Sequence, residues 1–189
     1  MRSKIVCDRS LQKIKIMKST VYRYGIYATL TIVGLSWGIF FLLKNMGRGL
    51  QEVAGYLTML LAMIFIFLGI RHFRERVNGG YLSFGQGLKI GVLIVLIPAV
   101  AFGLFDILYT EVLNPTWKED YYAKYIEDLR KSVSADKLDA AINKAEKEKE
   151  MFSNPAFQFL LMGGTVFIIG FIVAIISSLT LRRSKTTIA

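Results

Sequence analysis

Four stretches of this chain carry no Asp, Glu, Lys or Arg, and their lengths constrain the fold more than any other feature. They run from Tyr24 to Leu43, Val53 to Ile70, Ile90 to Phe105 and Met151 to Leu181, which is 20, 18, 16 and 31 residues. A bilayer core of about 30 Å is crossed by about 20 apolar helical residues. The third run reaches Thr110 if Asp106 is tolerated. Four spans therefore fit, and the expected fold is an all-α integral membrane protein. The runs are continuous rather than alternating, which argues against a β-barrel. The first is too long for the apolar core of a signal peptide, and no small-x-small site follows it at Lys44, so it reads as a retained anchor.

Charge then orients the spans. The chain carries 24 Lys and Arg against 14 Asp and Glu, a formal +10, on a composition that is 53% hydrophobic. That excess alone suggests nucleic acid, but its distribution argues otherwise. Segment 1–23, loop 71–83 with Lys89, and tail 182–189 together hold +12. The short turn 44–52 and the long segment 116–150 balance to zero, and Asp106 and Glu111 add −2. Excess Lys and Arg beside spans marks the cytoplasmic face. Both termini are expected inside a bacterial inner membrane, with 115–150 outside and no nucleic-acid partner.

The expected organisation is spans at 24–43, 53–70, 84–110 and 155–181. Asn78-Gly79-Gly80 reads as a turn, and Ser83 with Gln86 reads as a capping box opening the third span. Lys89 lies about one turn into that helix and snorkels to headgroups. Pro98 predicts a kink. Asn114-Pro115 and Asn154-Pro155 look like matched helix starts, with Asn as cap and Pro first in the helix. Between them Tyr122, Ile126, Leu129 and Val133 recur at helical spacing, as do Leu138, Ile142 and Ala145. These predict an extracytoplasmic amphipathic hairpin, 115–131 and 135–150, with Ser134 as a cap. Its stripes pack on each other or lie on the membrane. Tyr109, Trp117, Tyr121 and Tyr122 suit the membrane interface.

Small residues recur every four positions at Gly34 and Gly38, at Ala54, Thr58 and Ala62, at Gly87 and Gly91, and at Gly170, Ala174 and Ser178. They predict close helix packing, within the bundle or between copies. Asp106 is the one acid inside an expected span. It reads either as an interfacial anchor or as an ion or proton site, since it stands 17 residues, about 25 Å of helix, from Lys89. Glu111 is expected to be solvated. Arg71, His72, Arg74, Arg76 and Lys89 form a patch suited to anionic lipid headgroups.

One cysteine, Cys7, and one histidine, His72, exclude an internal disulfide and Cys- or His-cluster metal sites. No phosphate loop, nucleophile elbow or paired-histidine zinc motif is present. No catalytic residue, cofactor or metal site is expected.

The run Gly80-Tyr81-Leu82-Ser83-Phe84-Gly85-Gln86-Gly87-Leu88-Lys89-Ile90-Gly91, the Asn114-Pro115 exit, the charged helical insert and the Asn154-Pro155 entry resemble one family. It is the uncharacterised membrane family of Bacteroidota called domain of unknown function 4199, or DUF4199. The similarity covers about Met17 to Arg183. It implies a four-helix inner-membrane protein and brings no activity or catalytic residues. Members begin shortly before the first span, so residues 1–16 read as an upstream mis-start. Two functional readings follow. One is a non-enzymatic scaffold, accessory subunit or envelope factor that meets a protein partner through its outer hairpin. The other is a transporter or channel component acting as a homo-oligomer around the Pro98 helix and Asp106.

Overall fold

The structure, a computed structural model, describes residues 2–43 and 48–184. Met1, the start of the expected turn 44–52 and the tail from Lys185 lie outside the described residues, as does the Cys7 side chain. Six α-helices follow one another: α1 (Arg2–Leu43), α2 (Arg48–His72), α3 (Phe84–Leu108), α4 (Trp117–Ser132), α5 (Ala135–Phe152) and α6 (Pro155–Leu181). Each of α2 and α3 is extended by one π-helical turn, Phe73–Val77 and Tyr109–Leu113. Among the described residues no strand forms beyond one isolated bridge, Leu82 with Arg183.

Among the described residues, three helical stretches are long and apolar enough to cross a membrane: Gly49–Val77, Phe84–Leu113 and Pro155–Leu181. Their outward faces carry large apolar side chains, among them Leu57, Leu60, Leu96, Leu104, Leu160 and Ile168. A helix apolar on every side is stable only where its surroundings are apolar as well. The 24–43 run is not among the three. Its final residues include Phe40, Phe41 and Leu43, whose side chains lie outside those described.

α1 extends well before its apolar run. Segment 1–23 was expected as a basic stretch ahead of a span, yet helix continues from Arg2. No Gly or Pro precedes Gly25, so nothing in that stretch breaks a helix. Thr20 and Val21 are already buried.

The described residues form two compact units. The first takes the chain up to Val100 and resumes at Thr165; the second is Ala101–Gly164. In the first, Ile32, Met63, Ile66, Ile70, Ile94, Val95 and Val166 are fully enclosed. Glycines let the helices approach. A Cβ on Gly91 would stand 2.6 Å from the Ala174 Cβ and 3.1 Å from the Ile70 Cδ1. One on Gly87 would stand 2.9 Å from the Ser178 hydroxyl, and one on Gly170 would strike Val95 and Met63. The Ser178 hydroxyl itself donates to the Ala174 carbonyl at 2.6 Å, so its burial leaves no orphan donor. Two further close approaches, Gly25 against Ile97 and Gly69 against Tyr24 and Ile94, escaped the four-residue pattern. Gly34 and Gly38 behave differently. A Cβ on either meets nothing within 4 Å, so the packing expected there has no partner among the described residues.

The connection between α2 and α3 is locked by its own chemistry. Gly79 and Gly80 take φ of 64° and 85°, a region open to Gly at no steric cost. The Gln86 N–H donates to the Ser83 Oγ at 3.3 Å, and the Ser83 N–H donates to the Gln86 Oε1 at 3.4 Å. That reciprocal pair is a capping box. Leu82 and Arg183 exchange backbone hydrogen bonds of 3.0 and 2.8 Å. Arg74 donates to the Leu181 carbonyl at 3.4 Å, covering one acceptor at the end of α6. α3 passes Pro98 without interruption.

In the second unit, α4 and α5 pack on each other, burying Tyr122 and Ala145. Ser134 precedes α5 in an extended conformation and makes no side-chain cap bond; its carbonyl accepts from the Lys137 N–H at 3.0 Å. The two Asn-Pro pairs differ. Asn154 caps α6, its Oδ1 accepting from Ala156 at 2.9 Å and Phe157 at 3.4 Å. Asn114 instead closes the π-helical turn, its N–H donating to the Tyr109 carbonyl at 2.8 Å. Its side chain donates to the Tyr109 hydroxyl and accepts from the Thr116 hydroxyl. With that side chain already engaged, α4 starts only at Trp117.

Replacing Gly91 with Leu is expected to cost about 1–3 kcal/mol, the usual penalty for overfilling a packed contact. Gly34→Leu should stay within about 0.5 kcal/mol. Thermal unfolding of both variants in detergent, followed by circular dichroism, checks the contrast.

Candidate functional site

Polar side chains are rare in the apolar helices, so a buried group of three stands out. Asp106 and Thr110 lie four residues apart on α3 and its π-helical extension, hence on one face. Gln158 comes from the first turns of α6. It is placed by the Asn154 cap, whose carbonyl also accepts the Gln158 backbone N–H at 3.0 Å. Close approach is possible at Gly103, where a Cβ would stand 2.7 Å from the Phe159 ring and 3.1 Å from its carbonyl oxygen.

The Gln158 Nε2 donates to the Asp106 Oδ2 at 2.5 Å and to the Thr110 Oγ1 at 2.8 Å. The Thr110 hydroxyl donates to the Asp106 carbonyl at 3.1 Å. Gln158 is fully buried and Thr110 nearly so, while Asp106 is partly buried. Both amide protons are therefore used. The amide oxygen is not: the Gln158 Oε1 is buried without a hydrogen-bond partner. A buried acceptor left in that condition costs about 1–3 kcal/mol.

A second feature adjoins this cluster in sequence. Phe105, Tyr109, Trp117 and Tyr121 follow one another ring to ring, at 6.3, 6.4 and 5.1 Å, and the Trp117–Tyr121 pair is stacked. Tyr121 continues to Tyr122 and Tyr125 at 5.4 and 6.5 Å. Such spacings fall in the range where aromatic pairs attract beyond simple burial. Lys118, itself buried, donates to the Glu111 carboxylate at 2.5 Å. Glu111 is exposed, as expected, and is ion-paired as well, because the turn through Asn114 brings Lys118 of α4 to it.

The family described as "Protein of unknown function (DUF4199)" matches residues 23–183. The chain belongs to the DUF4199 family. No curated protein and no solved structure matches it. The DUF4199 match spans both features just described, together with the capping box at Ser83 and the small-residue contacts of α3 and α6.

The structure separates the residues singled out from the sequence. Asp106 gains two partners, Thr110 and Gln158, that a search for charged groups misses. An uncharged amide in an apolar run was the available signal. In the basic patch, Arg71 and Arg74 both donate to the Glu75 Oε1 at 3.0 Å. Arg74 is further engaged with α6, and His72 lies 5.6 Å from the Tyr24 ring. Arg76 and Lys89 are exposed. Gly87, Gly91, Gly170, Ala174 and Ser178 line close helix contacts; Gly34 and Gly38 do not.

Burial raises the Tyr122 phenol to about 12, with the Glu148 carboxylate and the rings of Tyr121 and Tyr125 adding to it. A phenol harder to ionise when folded than when unfolded (ordinary value about 10) favours the fold below pH 10. That contribution is lost as pH rises through about 12. Unfolding midpoints should therefore fall between these two values, and Tyr122→Phe should flatten the fall. Denaturant titrations in alkaline buffers check this.

Proposed function

We propose that this DUF4199 member is a four-span protein of the bacterial cytoplasmic membrane that acts as a non-enzymatic scaffold or accessory subunit. The fourth span is residues 24–43 of α1, where Leu30, Leu35 and Leu42 are exposed. Both termini are cytoplasmic, following the +12 charge of the flanks. Arg76 and Lys89 then meet anionic headgroups. The α4–α5 pair stands on the opposite side and is the docking element for a partner protein.

One observation carries this reading: the run of rings from Tyr109 through Trp117 and Tyr121 to Tyr125. Tyr and Trp are the residues that anchor protein contacts, giving a large rigid area at low entropic cost. The surrounding helix surface is charged, with Glu119, Asp120, Lys124, Glu127 and Asp128 exposed, as a polar rim would be.

Two measurements test the proposal. In a Cys7→Ser background, an impermeant maleimide should label Ser134→Cys on intact spheroplasts and Ser83→Cys only after permeabilisation; the reverse pattern overturns the topology. A photo-crosslinking amino acid at Tyr125 should give one discrete protein adduct in cells. Adducts to lipid alone, or the same bands from a probe at Ser184, overturn the docking role.

A further inference from the structure

The cluster of Asp106, Thr110 and Gln158 has a property that neither docking nor packing requires. Its hydrogen bonds are directional, and the Asp106 Oδ2 that accepts from Gln158 is an oxygen without a proton. The Gln158 amino group donates both its protons, to the Asp106 carboxylate and to the Thr110 oxygen. A carboxylate only accepts, whereas a carboxyl oxygen that takes up a proton gains an O–H that needs an acceptor of its own. The acceptor such a donor needs is already in the cluster: the Gln158 Oε1, buried and unpartnered at the other end of the same amide.

We propose that Asp106, Thr110 and Gln158 form a proton-binding site, in which a half-turn of the Gln158 amide accompanies protonation of Asp106. The incoming proton adds to the Asp106 Oδ2, forming one O–H bond and removing the negative charge. The amide turns, and its Oε1 accepts from that O–H. The Thr110 hydroxyl swings from the Asp106 carbonyl to the same oxygen. On deprotonation the amino group returns. In either orientation one end of the amide is left over, so the charge on Asp106 decides between them.

The charge balance favours a proton as the occupant. An ionised carboxylate in an apolar span is expensive, and a proton removes that cost without a coordination shell. A metal cation would need several oxygens at once. The Pro155–Gly164 stretch of α6 carries no ionisable group. The neighbouring charges are Lys118 and Glu111, which are paired with each other, and the Tyr109 hydroxyl is bonded to Asn114. Of that pair, Lys118 lies near enough to act electrostatically on Asp106. The inference does not rest on the scaffold reading or on a partner.

Infrared difference spectroscopy of the purified full chain in lipid nanodiscs, titrated with acid, tests it. The expected result is a carboxylic-acid C=O band that Asp106→Asn abolishes, and a glutamine amide C=O change with the same midpoint. Glutamine labelled with ¹³C identifies that second band in the wild-type chain, so this measurement survives any folding defect in the variant. Gln158→Leu should erase the amide change and move the carboxyl midpoint by about tenfold in proton concentration. A carboxyl band unaffected by Asp106→Asn overturns the proposal, as does a titration with no glutamine change. A midpoint displaced in proportion to added Na⁺ overturns the proton in favour of a metal cation.

Discussion

Close approach of α3 and α6 governs much of what this chain displays. Helices in lipid gain little from hiding apolar side chains from one another, since the tails are equally apolar. What remains is contact at short range. Gly91 against Ala174 and Gly87 against Ser178 supply it in one unit. In the other, Gly103 lies against Phe159. At Gly103 the benefit is chemical as well as steric. Short side chains such as Thr110 and Asp106 reach a neighbouring helix only if the backbones are near. A bulkier residue at that point would separate the polar groups and leave each of them orphaned in an apolar setting.

The helical class was legible because charge-free runs have one common explanation, and helix ends were legible where the capping side chain kept its local task. The box of Ser83 and Gln86 formed even though the Gln86 Oε1 also accepts from the Asn78 amide at 3.2 Å. Asn154 likewise caps α6. Asn114 carries the same dipeptide signal, but Tyr109 and Thr116 compete for its side chain, so the expected cap became the end of the preceding turn. Local sequence cannot rank partners that tertiary structure brings together. The same limit hid Gln158, which reads as an innocuous amide until Asp106 is seen beside it. It also hid the close contacts of Gly25, Gly69 and Gly103. Gly34 and Gly38 show the opposite case, a pattern with no neighbour among the described residues.

Part of the basic character proves to be structural. Arg74 serves the carboxylate of Glu75 and the Leu181 carbonyl at the end of α6 at once, and Arg71 shares that carboxylate. Counting cations identifies a face of the protein but not the cations available to a ligand. Lys118 teaches the same point, being buried against Glu111 rather than displayed.

The bridge between Leu82 and Arg183 has a bearing on how the protein is made. The glycine turn that holds Leu82 is complete once the first half of the chain has left the ribosome. Its hydrogen-bonding partner is synthesised about a hundred residues later. Until then Leu82 presents an unpaired N–H and carbonyl, and Arg74 has no α6 terminus to reach. That seam therefore closes only once α6 has been made, and Arg183 at its exit acts as the latch on a loop built about a hundred residues earlier.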